Sequence, residues 1–330
     1  MNNLNGKHNF PVANMDDFPN FRLISEQIQT QIGSITLFKK MSGGSNEIYY
    51  VKTEKGEFIV KIYNEDGSQR TNLSREIQMS ELLRDFPEIR KLVFSDITKN
   101  TIPYEFAIFE YVDGQTLRSI VENGTMKDEH LVAISDQIFD LVSRITQIKT
   151  NKFGQLDESG LTGTTSTWKD FLINMQEPTT KTFESTEVFL DGEYLIPSKI
   201  LDKHTDKFAL KDPRLIPMDL NIDNIIITPD QKIKFIDPET FWSGDPLCAF
   251  AQFFGLTNGT VLGNRFLNRM ELSSDNEFKV RFYALLDNLN VLAYITRINP
   301  EIAREAKPWG NPNKFLDLIN ENLEFFKNKS

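Results

Sequence analysis

Four groups of residues have the types and the order that moving a phosphoryl group requires. In that chemistry the protein positions the reactants and neutralises charge, and forms few bonds itself. Ser42-Gly43-Gly44-Ser45-Asn46 stands between two β-type runs. Glycine backbone lets phosphate oxygens approach closely, and consecutive N–H groups form an anion-binding concavity. Lys61 lies in Ile59-Val60-Lys61-Ile62, and its ammonium would be costly to bury unpaired. Glu76, fifteen positions later on the next helical run, is a suitable partner. Such an ion pair would hold Lys61 against the α- and β-phosphates of a nucleotide.

The third group is Asp219-Leu220-Asn221-Ile222-Asp223-Asn224, which runs straight into Ile225-Ile226-Ile227. A tight loop feeding a strand can present both Asp219 and Asn224. The aspartate would orient a substrate hydroxyl and accept its proton, and the asparagine would offer its side-chain oxygen to magnesium. Asp237, thirteen residues after Asn224, ends the run Lys-Ile-Lys-Phe-Ile-Asp and adds a hard carboxylate for the same metal. Taken singly, each group has a plainer explanation: a hairpin turn, a solvated lysine, a surface glutamate, an Asp- and Asn-rich turn. Their shared order favours a joint role.

These residues need elements to hold them. Ile-Thr-Leu-Phe-Lys-Lys, Ile-Tyr-Tyr-Val-Lys-Thr and Glu-Phe-Ile-Val-Lys-Ile-Tyr alternate across Gly-bearing turns between Ile35 and Tyr63, as in an antiparallel meander. Leu73, Ile77, Leu82 and Leu83 share a helical face. Two strand-like runs follow before the turn at Asp113-Gly114, and beyond it the pattern is helical except for a β-island from Leu215 to Phe235. Residues 160–211 are the least readable. The fold class expected is α+β and bilobal, an N-terminal antiparallel sheet with one helix and a mainly helical C-terminal lobe. The divisions expected are a loose leader at 1–20, a nucleotide-binding lobe at 21–110 and a catalytic and substrate lobe at 111–330.

Composition narrows the class. At 39% hydrophobic and 25% charged, the chain of 330 residues reads as folded and soluble. A net charge of −10 argues against a nucleic-acid partner. Cys248 is the only cysteine, which points to a cytoplasmic setting without disulfides. No run nears the roughly 20 apolar residues of a membrane span, and the polar first 18 residues lack a signal-peptide core. His8, His130 and His204 are scattered, so no zinc site is expected. Oligomeric state is not readable.

The motifs resemble those of the aminoglycoside phosphotransferase and choline kinase superfamily of protein-kinase-like enzymes. Gly-Gly-Ser-Asn resembles its glycine loop, Phe-Ile-Val-Lys-Ile-Tyr its lysine strand, and Ser-Arg-Glu-Ile-Gln-Met-Ser-Glu-Leu-Leu its glutamate helix. Ile-Phe-Glu-Tyr-Val-Asp-Gly resembles the hinge, which implies Phe109 as gatekeeper and the backbone of Glu110 and Val112 against adenine. Met-Asp-Leu-Asn-Ile-Asp-Asn resembles the catalytic loop, and Phe-Ile-Asp-Pro-Glu-Thr the metal-binding segment. The similarity spans about residues 35 to 250. It implies ATP as phosphoryl donor, with GTP as the alternative because a hinge reads purines through main-chain groups, and Mg2+ as cofactor. The implied partner is a small-molecule hydroxyl acceptor. One departure stands out: the family's loop begins His-Gly-Asp, and here those places hold Pro217-Met218-Asp219. The missing histidine normally braces the loop, and the fixed φ of proline offers another brace.

An acidic chain favours an aminoglycoside or amino sugar as acceptor. The alternatives are choline, homoserine, a sugar or a biosynthetic peptide. A nucleotide-binding pseudokinase is the rival of another class, supported by the lost histidine and opposed by the retention of Lys61, Glu76, Asp219, Asn224 and Asp237. Cys248 and the tryptophans Trp168, Trp242 and Trp309 read as packing residues. Asp223, Glu239 and Asp245 read as caps or loop hydrogen-bonders near the inferred site.

Overall fold

The computed structural model describes residues 17–41, 46–63, 73–100, 102–157, 160–189, 192–308 and 310–327. The chain divides into two compact units whose boundary in sequence lies between Val112 and Asp113, against an expected boundary after residue 110.

The first unit is built on five antiparallel strands: β1 (Ile35–Met41), β2 (Glu47–Thr53), β3 (Gly56–Tyr63), β4 (Leu92–Asp96) and β5 (Glu105–Glu110). Their order is β1-β2-β3-β5-β4. Helix α1 (Pro19–Ile32) covers one face and α2 (Leu73–Leu82) borders the other. The expectation of a single helix therefore omits α1, and the leader placed at 1–20 overlaps its first turn. Phe21, Ile24, Ile28 and Ile32 form a three- and four-residue stripe that packs on Phe38, Tyr49, Val60 and Ile62. Ile59, Tyr63, Leu73, Ala107 and Phe109 form the core of the opposite face. Because β3 is covered on both sides, Ile59 through Tyr63 is buried without interruption.

The second unit is mainly helical: α3 (Leu117–Asn123), α4 (Asp128–Ile145), α5 (Trp168–Glu184), α6 (Ile196–Lys203), α7 (Pro246–Thr257), α8 (Val261–Met270), α9 (Ser274–Ile298) and α10 (Phe315–Lys327). The expected island supplies β9 (Arg214–Pro217), β10 (Ile225–Ile227) and β11 (Ile233–Phe235). Four short strands lie outside it: β6 (Gln115–Thr116), β7 (Phe153–Leu156), β8 (Gly163–Thr165) and β12 (Phe241–Gly244). They form two small sheets, β11-β10-β6 and β8-β7-β12-β9.

Two contacts lock the helices that matter for the site. Asp245 caps α7 through the Leu247 amide at 3.1 Å, and Pro246 opens the helix at its first position. The same carboxylate takes hydrogen bonds from Lys279 and Tyr283 on α9, each at 3.0 Å. Further along, Gly255 brings α7 so near α9 that an added Cβ would stand 3.1 Å from that of Ala284. At Gly244 it would meet the Trp168 ring at 2.3 Å, which restricts that place to glycine.

Candidate active site

In the first unit, Lys61 projects from β3 into the face that also carries Phe109. Its Nζ donates to both oxygens of Glu76 at 3.2 Å. Lys61 is 4% exposed and Glu76 is fully buried, which excludes a solvated pair. Sequence reasoning missed two further donors to the same carboxylate: Arg90 Nη2 at 3.3 Å and the Tyr63 hydroxyl. The Arg90 guanidinium lies 4.2 Å from the centroid of the Phe109 ring, and the Lys61 ammonium 5.7 Å. Burying an ion pair costs several kcal/mol per ion unless further hydrogen bonds repay it. Arg90 and the Tyr63 hydroxyl supply them.

Ser42, Gly43, Gly44 and Ser45 lie outside the described residues. Asn46 sits in the bend leading into β2. Glu110 ends β5; its amide donates to Lys91 O at 3.0 Å, so a ligand contact through its backbone falls to the carbonyl. Val112 is buried at the end of the unit.

In the second unit, the loop from Met218 to Asn224 is tied together from within. Asn221 Nδ2 donates to Asp219 Oδ1 at 2.7 Å, and Asn224 Nδ2 donates to Asp219 Oδ2 at 2.8 Å. Asn221 Oδ1 accepts from the amides of Asp223 and Asn224 at 2.9 and 3.1 Å. Outside support comes from α7, where Gln252 Nε2 donates to Met218 O and Gln252 Oε1 accepts from the Leu220 amide at 3.2 Å. Gln252 thus grips the backbone on both sides of Asp219. It has the geometry of the brace that the missing histidine left in question. Pro217 instead ends β9, paired with Phe241 of β12.

The β10–β11 hairpin sets Asn224 and Asp237 at one end. Ile225 pairs with Phe235, and the Ile236 amide donates to Asn224 O at 2.8 Å. Asp237 has φ 58°, a left-handed backbone rare for residues other than glycine. The Asp219 carboxyl is pushed up to about 6, chiefly by burial; the asparagine hydrogen bonds oppose the shift, and the charges of Asp237 and Asp223 add to it. Asp237 is therefore near enough to be felt. As Asn224 Nδ2 points at a carboxylate, its Oδ1 is the atom presented to a cation. An amide oxygen and a carboxylate are hard donors that suit Mg2+, which takes one or two carboxylates and fills its shell with phosphates and water. Among the described residues no three His, Cys, Asp or Glu side chains cluster as a self-sufficient metal site.

Beside Asp219 opens a cavity of about 580 Å³. One wall is a stripe of α9: Asp287, Val291, Tyr294 and Ile295, at helical spacing. Gln252, Phe253 and Leu256 of α7 form another wall, and Ile302, Lys307 and Phe315 close the far side. Burial and the Asp219 charge push the Asp287 carboxyl up to about 7. No feature of its helical surroundings marks Asp287 in the sequence, and it was not among the expected site residues.

Of the residues expected to pack, Cys248, Trp168 and Trp242 do so. Cys248 is buried beside the Met218 sulfur at 3.9 Å, and burial raises its thiol pKa. Trp168 donates to the Tyr283 hydroxyl at 2.8 Å, and Trp242 meets Phe171 edge to face. Trp309 lies outside the described residues. Asp223 is engaged by Arg118 at 3.2 Å, Asp245 is the α7 cap, and Glu239 donates its amide to Asp237 O at 2.8 Å. No helix among the described residues is long and apolar enough to cross a membrane.

A sheet unit with a buried Lys–Glu pair, followed by a helical unit with an Asp-x4-Asn loop, defines the protein-kinase-like class of fold. Solved structures share it. Aminoglycoside phosphotransferase APH(4)-Ia superposes with a TM-score of 0.67 at 14% identity, over 92% of this chain and 98% of that one. Choline kinase LicA from Streptococcus pneumoniae gives 0.60 at 18% identity, over 93% and 98%. The gentamicin complex of APH(2'')-IIa gives 0.58 at 16%, over 91% and 95%. A comparison with curated protein sequences finds no match. The profile of the phosphotransferase enzyme family matches residues 39–276, and the chain belongs to that family.

Proposed function

We propose that this protein is an ATP-Mg-dependent kinase that transfers the γ-phosphoryl group to a hydroxyl of a small molecule. The observation that carries the reading is Asp219, a half-buried carboxylate aimed by two asparagine amides, gripped through its backbone by Gln252 and neighboured by Asp237. In the proposed reaction the acceptor oxygen bonds to the γ-phosphorus as the bond from that phosphorus to the bridging oxygen breaks. The bridging oxygen leaves with the electron pair on ADP, and Asp219 takes the acceptor's proton. Asn224 and Asp237 hold magnesium, which when bound neutralises charge on the phosphates. Lys61, fixed by Glu76, does the same for the non-transferred phosphates. Ser42 to Asn46 cradle the triphosphate, and the Glu110 carbonyl and Val112 amide read the purine, which leaves GTP as an alternative donor.

Relatives lend support. A thermostable mutant of APH(4)-Ia forms a ternary complex with ADP and hygromycin B. The acidic chain, at −10, made an aminoglycoside or amino sugar the leading acceptor, ahead of choline, homoserine, a sugar or a peptide. The lone cysteine supports a cytoplasmic reaction. A nucleotide-binding pseudokinase is the second reading, favoured by Pro217; Gln252 weakens it by supplying a brace.

Calorimetric titration of the full chain with ATP and Mg2+ tests the reading. Wild-type protein should bind ATP-Mg, and Asp237→Asn should weaken that binding at least ten-fold while affecting metal-free ATP much less. Absence of ATP-Mg binding by the wild type would contradict it.

A further inference from the structure

The cavity beside Asp219 has a composition that the net charge of the chain does not foretell. Its walls are mostly hydrocarbon: Phe253, Leu256, Val291, Ile295 and Phe315 line it, and Tyr294 and Ile302 stand at 43% and 52% exposure. Large apolar side chains left facing water around a concave site mark a surface that something apolar covers. Among the described residues, and apart from the loop itself, only two ionisable groups other than Tyr294 line it, Asp287 and Lys307.

Asp287 is the unusual one. Its Oδ2 is covered and has no hydrogen-bond partner. The charges that act on it or respond to it are Asp219 and the Cys248 thiol, neither of which offers a cation. A carboxylate placed like this costs stability unless a ligand supplies its partner. A polycation would fare badly in the same cavity. It would find one carboxylate besides Asp219, a lysine, the amides of Asn221 and Gln252 already engaged by the loop, and otherwise mostly hydrocarbon, so its remaining ammonium groups would go without anionic partners.

We infer that the acceptor is an amphiphilic amino alcohol: a largely apolar body lying on the α9 stripe and Ile302, a single ammonium on Asp287, and a hydroxyl presented to Asp219. This inference rests on the kinase reading for the fate of the hydroxyl, and it replaces the polycationic aminoglycoside as the leading acceptor class. Asp287 acts as a specificity residue, and the apolar walls set the size and hydrophobicity of what it accepts. The volume of about 580 Å³ falls in the range of ordinary small-molecule sites, about 300–1,000 Å³.

The test is direct binding without nucleotide, by calorimetry on the full chain, with three probes. They are propranolol (an aryl amino alcohol), the naphthyloxypropanediol that lacks its amine, and kanamycin as the polycation. Wild-type protein should bind propranolol at least ten-fold more tightly than either of the others. Asp287→Asn should bring propranolol down to the level of the diol and leave the diol unchanged. Ile302→Asn, at an exposed position that folding tolerates, should weaken propranolol and the diol alike, so the apolar half of the inference is read independently of Asp287. Tightest binding of kanamycin, equal binding of amine and diol, an amine preference that survives Asp287→Asn, or no binding of any probe would overturn the inference. The kinase reading is tested separately on the same protein by ATP-Mg titration: probe binding without ATP-Mg binding sinks that reading and leaves the cavity chemistry standing.

Discussion

Glu76 and Asp219 are both withdrawn from bulk water, but their surroundings treat them in opposite ways. Around Glu76 the protein gathers Lys61, Arg90 and Tyr63, so that one carboxylate has three donors, two of them cationic. Around Asp219 it places two neutral amides and further acids, and the carboxyl pKa rises to about 6. The first arrangement is complete without a ligand and serves to hold Lys61 in place. The second keeps charge uncompensated, which suits the roles proposed for it, a group that takes up a proton beside neighbours that attract a metal. On the proposed function, structural stability and chemical readiness thus fall to different carboxylates.

The contrast can be broken at several places. Glu76→Ala should have the largest effect on stability, because it strands two buried cations; a loss of about 3–5 kcal/mol is expected in denaturant unfolding. Gln252→Leu is next. It leaves Met218 O and the Leu220 amide without their partner, at about 1–3 kcal/mol for each group. Its sharper signature is kinetic, with kcat falling while the affinity for ATP stays unchanged, as expected of a residue that positions Asp219 without touching the nucleotide.

Asp287 gives a smaller effect with a distinctive pH dependence. Its carboxyl holds a proton more tightly in the folded chain, with the pKa pushed up to about 7, than when unfolded. Stability from this group is therefore fully present below about pH 4 and is lost as pH rises through about 7. Asp287→Asn should raise the melting temperature at pH 8 and leave it nearly unchanged at pH 4. Equal shifts at both pH values would show that the carboxylate is not the source of the cost.

The residues legible in the sequence were those whose chemistry shows in local spacing. Lys61 stood out because an ammonium within Ile-Val-Lys-Ile demands an explanation, and Asp219 and Asn224 because their loop feeds an unbroken apolar strand. Gln252, Arg90 and Asp287 carry no such mark. Gln252 is one polar residue in an apolar helix, Arg90 follows a turn, and Asp287 sits in a helix where charged residues are ordinary. Their surroundings are assembled across 14 to 68 positions of sequence, as in the hydrogen bond of Arg90 with Glu76 or the electrostatic influence of Asp219 on Asp287. Helix α1 was missed for another reason. Its stripe of Phe21, Ile24, Ile28 and Ile32 is diluted by polar residues and adjoins a stronger strand pattern at Ile35. Strands β6 and β7 have two and four residues, too few for alternation to register.

The central claim, phosphoryl transfer to a hydroxyl with Asp219 as the group that takes its proton, is tested most directly by ADP release. The full chain would be supplied with ATP-Mg and an amino alcohol acceptor, and wild type compared with Asp219→Asn. The account predicts acceptor-dependent release by the wild type and a loss of about 10²–10⁴-fold in the variant, with ATP-Mg binding retained. Turnover that survives the substitution undiminished would contradict it.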